Sequence, residues 1–216
     1  MEISAQAVKE LRERTGAGIL DCRKALQESE GSIDKAVEYL QKKSLATAAK
    51  KASRVAAEGM VGSYIHMGGK IGVLCEVNCE TDFVAKTEDF QALVKDICMH
   101  IAAMSPLYLD ASVIPAEEIE KQREIFAEQM KNSGKPDHII ANIVEGKLKK
   151  WYGDVCLLDQ AFVKDPDQTI RAMLTAKVAR IGENIQIRRF VRFGLGEGIE
   201  KKKDDFAAEV AAAAGI

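Results

Sequence analysis

M-V-G-S-Y-I-H-M-G-G-K-I-G-V-L-C-E-V, from Met60 to Val77, interrupts the helical period that governs the chain on either side. Met60, Val61, Tyr64 and Ile65 precede a Gly68-Gly69 pair, and Ile71, Val73, Leu74 and Val77 follow it. β-branched and aromatic residues about a glycine pair read as a hairpin, because glycine supplies the positive φ of a tight turn without steric cost. A third strand is expected from Ile185 to Leu195, where Ile185, Ile187, Phe190, Val191 and Phe193 interleave with Arg188, Arg189 and Arg192.

Outward from this sheet the apolar residues recur at helical spacing. Phe90, Leu93, Val94, Ile97 and Ile101 form one such series before Pro106, and Ile119, Ile125, Phe126 and Met130 form another between Ala116 and Met130. Pro136 opens a third through Trp151, a loop carrying Pro166 follows, and Thr169 to Arg180 makes a fourth. Upstream, Ser4 caps a helix through Arg14, Asp21 can cap a second, and Ser32 begins a third with Ile33, Ala36, Val37 and Leu40. Lys42 to Arg54 is Lys- and Ala-rich and reads as a helical linker. The expected class is α+β: an N-terminal three-helix module (1–52), a core of a three-stranded antiparallel sheet packed with helices (53–200), and a short C-terminal helical tail (201–216).

Composition narrows the function. Hydrophobic residues at 47% and charged residues at 30% are those of an ordinary folded domain. The 31 basic and 33 acidic residues nearly cancel, so no global field favours a phosphate backbone and direct nucleic-acid binding is not expected. Cys22, Cys75, Cys79, Cys98 and Cys156 are odd in number and scattered, which fits reduced thiols in a cytoplasm rather than a disulfide framework. The N-terminus lacks the basic start and apolar run of a signal peptide, and no segment approaches the roughly 18 apolar residues of a membrane span. His66, His100 and His138 sit in no nucleophile or metal motif, and Cys75 with Cys79 lacks a second ligand pair. No metal, no cofactor and no enzymatic chemistry are therefore expected.

Four motifs occur in order: V-K-E-L-R-E-R-T-G-A-G-I-L-D-C-R-K-A-L from Val8 to Leu26, E-V-N-C-E-T-D-F-V-A-K from Glu76 to Lys86, R-I-G-E-N-I-Q-I-R-R from Arg180 to Arg189, and G-E-G-I-E-K from Gly196 to Lys201. Together they resemble the elongation factor Ts family over nearly the whole chain. That resemblance implies an N-terminal bundle similar to ubiquitin-associated domains. It also implies a guanine-nucleotide exchange factor that binds elongation factor Tu and promotes GDP release by disturbing the partner's magnesium and phosphate site. Arg12 and the pair Ile19 and Leu20, where other members often carry a Met pair, fall where the family grips a partner helix. Thr81, Asp82, Phe83 and Val84 carry the T-D-F motif that the family wedges into its partner. His66 ends a G-S-Y-I-H segment similar to one that bears a partner-contacting histidine in longer members. Those members hold a duplicated core, whereas this chain has room for one, which implies a homodimer.

Without the resemblance the same residues admit blander readings. T-D-F is then an ordinary Asx-type turn with Phe83 tucked into the core, and Ile19 with Leu20 belongs to the interior of the small bundle. The rival function is a ubiquitin-associated-type adaptor that binds another helix or peptide.

Overall fold

The computed structural model describes residues 3–131 and 133–199. Ser4 caps α1 (Ala5–Thr15) by accepting the Ala7 N–H at 3.1 Å, and Gly16, at φ +67°, ends it. The second helix, α2 (Ile19–Glu28), begins earlier than Asp21. Gly18 takes the extended cap position, and Asp21 lies in the first turn, where its charge complements the helix dipole instead of capping it. Ile19 and Leu20 are thereby helical residues rather than part of a connecting loop. Ser32 caps α3 (Ile33–Lys51), and Leu11, Cys22, Ala25, Leu26, Ala36 and Leu40 form the buried interior of the bundle.

The segment expected as a linker is the second half of α3. Lys and Ala keep the helix going because neither loses much side-chain freedom in it. Alanine is also small enough for close approach, and Ala48 packs against the larger core of the molecule. The same helix thus belongs to both apolar clusters.

The hairpin forms as expected: β1 (Glu58–His66) pairs antiparallel with β2 (Ile71–Cys79) through a short turn at Met67–Gly69. Next come a one-turn helix, α4 (Asp82–Ala85), and the central helix α5 (Glu88–Met104), capped by Thr87. Two further helices, α6 (Ala116–Glu128) and α7 (Asp137–Val155), pack on one another, and the Lys147 ammonium sits 5.6 Å from the centre of the Phe126 ring. The stretch around Pro166 is not simply a loop. It contains a small two-stranded sheet, β3 (Ala161–Phe162) with β4 (Asp165–Thr169), too short to leave an alternating pattern in the sequence. After α8 (Ile170–Ile181), β5 (Gln186–Gly194) joins the main sheet in the order β1-β2-β5, with a bulge at Glu76/Val77. The helical tail expected for 201–216 lies outside the described residues.

One face of the sheet meets α5. Val73, Cys75, Val77, Cys79 and Ile187 pack there against Phe90, Leu93, Val94, Ile97, Cys98 and Ile101. Gly62 permits the approach, since a Cβ at that position would stand 2.3 Å from Val94 Cγ1. All five cysteines are free thiols inside the two clusters or beside them, and Cys156 is pushed up to about 11 by burial first and then by the nearby Asp159 and Asp110. Among the described residues no helix is long and apolar enough to cross a membrane.

His100, on α5, is fully buried and hydrogen-bonded on both ring nitrogens. Nδ1 accepts the Val163 N–H at 3.2 Å, so Nε2 carries the proton and donates to Gln160 Oε1 at 3.0 Å. Gln160 in turn donates to the Asp154 carbonyl at 2.8 Å. Burial holds the imidazole below its ordinary value, against the opposing effect of its hydrogen bond to Gln160. An unfolded histidine takes its proton near pH ~6.5, the folded one only at lower pH, so between the two the unfolded state binds more protons. The stability present above pH ~6.5 is therefore expected to fall as the pH drops, by up to about 1.4 kcal/mol per pH unit. Urea unfolding at pH ~7.5 and ~5.5 checks this, and an unchanged midpoint would show that the ring charges without cost.

Candidate partner-binding site

β2 ends at Cys79, and the chain turns at once into α4, which places the T-D-F motif on a single helical turn and not on an open loop. Thr81 is the cap, its hydroxyl accepting from Val84 N–H at 3.4 Å. Val84 and Ala85 face the main core, half-buried against it. The opposite side of so short a helix must then face water, and Phe83 stands there 78% exposed. Asp82 holds the Lys86 ammonium at 2.6 Å, which keeps its carboxyl below the usual carboxylate range.

Sequence reasoning missed the residues that brace this turn. Glu183, in the connection from α8 to β5, accepts three hydrogen bonds from it: Glu80 N–H at 3.0 Å and Thr81 N–H at 3.1 Å on one oxygen, and the Thr81 hydroxyl at 2.7 Å on the other. The brace is reciprocal. Glu80 accepts the Asn184 N–H at 2.6 Å, and this contact, with Arg54 at 3.4 Å, lowers its carboxyl's pKa. The available signal was G-E-N after α8: an acid and an amide directly behind a helix-ending glycine, residues suited to satisfying nearby backbone groups.

On the N-terminal bundle, Ile19 is 57% and Leu20 82% exposed, so they are not interior residues. Ile3, Val8 and Ile19 line a shallow apolar groove between α1 and α2, rimmed by the cations Lys9, Arg12 and Arg23. Arg12 is exposed on the last turn of α1.

His66 is not brought near the T-D-F turn. It ends β1 opposite Ile71, and the span from Ile71 to Cys79 along β2 is eight steps, roughly 26 Å at about 3.3 Å per residue. Its ring stacks on Tyr64 with centroids 5.7 Å apart, and the Tyr64 hydroxyl lies 2.9 Å from its Nδ1. At that end the outer face of the sheet is apolar and, among the described residues, exposed: Ile65, Leu74, Val191 and Phe193 lie there, since Leu74 pairs with Val191 and Gly72 pairs with both Ile65 and Phe193, while Val61, also exposed, stands farther along β1 opposite Glu76. Nearer the T-D-F end the same face turns polar. Glu76 accepts from Arg188 at 2.8 Å and Arg189 at 2.7 Å, which together hold its carboxyl below the usual range.

Fold and surface describe a two-cluster α+β chain with its aromatic and aliphatic side chains held out at a braced turn, a groove and a sheet face. The family model for elongation factor TS matches residues 22–197. Elongation factor Ts of Geotalea daltonii is 61% identical over 215 residues, covering all of both chains, and that of Geobacter sulfurreducens is 58% identical over 216, again covering both completely. Elongation factor Ts of Heliobacterium modesticaldum is 59% identical over 210 residues, 97% of this chain and 98% of its own. The chain belongs to the elongation factor Ts family, and its place is in translation elongation.

Proposed function

We propose that the chain is the guanine-nucleotide exchange factor of elongation factor Tu, acting in the cytoplasm by binding alone and without bond-making chemistry or a cofactor of its own. The observation that carries this reading is Phe83, a large apolar side chain 78% exposed on a turn whose remaining residues are capped or packed. Leaving such a ring in water costs free energy unless a partner receives it. In a G protein, the magnesium ion and the diphosphate hold one another, because the cation neutralises the phosphate charge. A ring inserted between partner elements that position the cation's ligands weakens both. Asp82 and Thr81 flank that ring, and Val84 anchors it from the core side.

Each tenfold gain in GDP release needs about 1.4 kcal/mol off the barrier, so several decades require more contact than one ring provides. Arg12, Ile19 and Leu20 supply a second grip, the apolar groove receiving a helix of the partner while the cationic rim meets its acidic residues. Residues 1–52 are then the gripping module, 53–200 the exchange core and 201–216 a tail. By linkage, GDP must weaken factor binding as much as the factor weakens GDP binding. The test is release of a fluorescent GDP from purified elongation factor Tu: a rate equal to that in buffer ends the proposal.

The outer face of the sheet supports the homodimer. All three strands contribute exposed apolar residues to it, and an identical face is the simplest complement. His66, at the edge of that patch, then sits near the pairing surface, away from the T-D-F turn of its own chain. Light scattering is expected to give the mass of two chains at micromolar concentration, and the mass of one would remove the pairing.

A further inference from the structure

We infer that the Gly182-Glu183-Asn184 connection positions the exchange turn, with Glu183 as the residue that holds Phe83 in its presented orientation. The inference rests on the exchange reading above and adds to it a residue that acts through the turn it holds. α4 is too short to define its own direction, because one turn fixes several dihedral angles for few hydrogen bonds. What defines it is the Glu183 carboxylate, which ties down the two backbone N–H groups of Glu80 and Thr81 and the hydroxyl of the capping residue. Two of the three bonds run to backbone groups, so they fix the course of the chain into α4, beyond the rotamer of any one side chain.

The same connection reaches the N-terminal bundle. Asn184, 3% exposed, donates its side-chain amide to the Arg54 carbonyl at 2.8 Å and the Ala52 carbonyl at 3.4 Å. Lys51, the last residue of α3, donates to the Gly182 carbonyl. Three consecutive residues therefore hold the exchange turn on one side and the exit of the bundle's long helix on the other. Both proposed grips are referred to one short segment, which lowers the ordering required when the partner is engaged.

The test compares Glu183→Ala, Glu183→Gln and Phe83→Ala, singly and with Phe83→Ala combined with Glu183→Ala, in stimulated release of fluorescent GDP over a range of factor concentration, with thermal unfolding measured on each. Glu183→Ala is expected to lower the maximal stimulated rate by about tenfold, the scale of a misplaced but present group, with a smaller change in the half-saturating concentration. Glu183→Gln keeps a carbonyl acceptor for the two N–H groups and is expected to recover most of the rate; should the alanine variant fail to fold, the glutamine variant's smaller loss carries the comparison. In the Phe83→Ala background, Glu183→Ala should slow release no further, whereas damage to the fold alone would subtract again. Wild-type rates in both Glu183 variants beside a slow Phe83→Ala overturn the positioning role and leave the exchange reading standing. Wild-type rates in Phe83→Ala itself overturn the exchange reading and this inference with it.

Discussion

Phe83→Ala is expected to slow stimulated GDP release from elongation factor Tu by about thirtyfold while leaving the chain folded. The magnitude follows from what an aromatic anchor contributes at a protein interface, about 2 kcal/mol or more on truncation, expressed as a rate at about 1.4 kcal/mol per decade. The loss should fall on the maximal rate more than on affinity, since the ring's role is to distort the partner and the groove on the bundle retains its own hold. Stability should move by no more than about 0.5 kcal/mol, because a ring 78% exposed has little packing to lose. Stopped-flow release with urea unfolding on the same preparation checks both halves. Release at the wild-type rate, or unfolding near the wild-type cost of a core deletion, would reverse the assignment.

Phe90→Ala, seven residues on, is expected to do the opposite. Phe90, in the first turn of α5, has its side chain fully buried in the main core between the sheet and its own helix. Removing it forfeits the transfer free energy of the ring and leaves a cavity that sheet and helix cannot close, about 3–5 kcal/mol. Against a total of about 5–15 kcal/mol this is a large fraction, visible as a fall in the urea midpoint with unchanged slope. At temperatures where the variant remains folded, its exchange rate per folded molecule should stay near wild type. A stability change under about 1 kcal/mol would mean that the core repacks around the loss.

The two phenylalanines also show where sequence reading reaches and where it stops. Phe90 belongs to a helical series with Leu93, Val94, Ile97 and Ile101, and a repeated pattern of that length specifies both the helix and its buried face. The three strands, the principal helices and the two apolar clusters were legible for the same reason. Phe83 has no such series. Taken alone it reads as interior, and its exposure comes from Thr81 and Val84 having used the other sides of one helical turn, a matter of geometry over four residues. The brace is harder still: Glu183 lies 102 positions from Thr81, and hydrogen bonds across such a distance leave no periodic trace. The start of α2 was misread because an acid before an apolar run is a strong cap signal, whereas Gly18 caps without any side chain. The strands β3 and β4 were missed because two and five residues, one of them proline, are too few to alternate.

α3 runs unbroken from the interior of the bundle, at Leu40, to its seat on the larger core, at Ala48. A rigid rod converts length into angle: one residue added between those points turns everything beyond it by about 100° and advances it by about 1.5 Å. Evolution can lengthen or shorten this shaft only in near-whole turns without swinging the groove off its bearing, so chain length there is a quantised parameter.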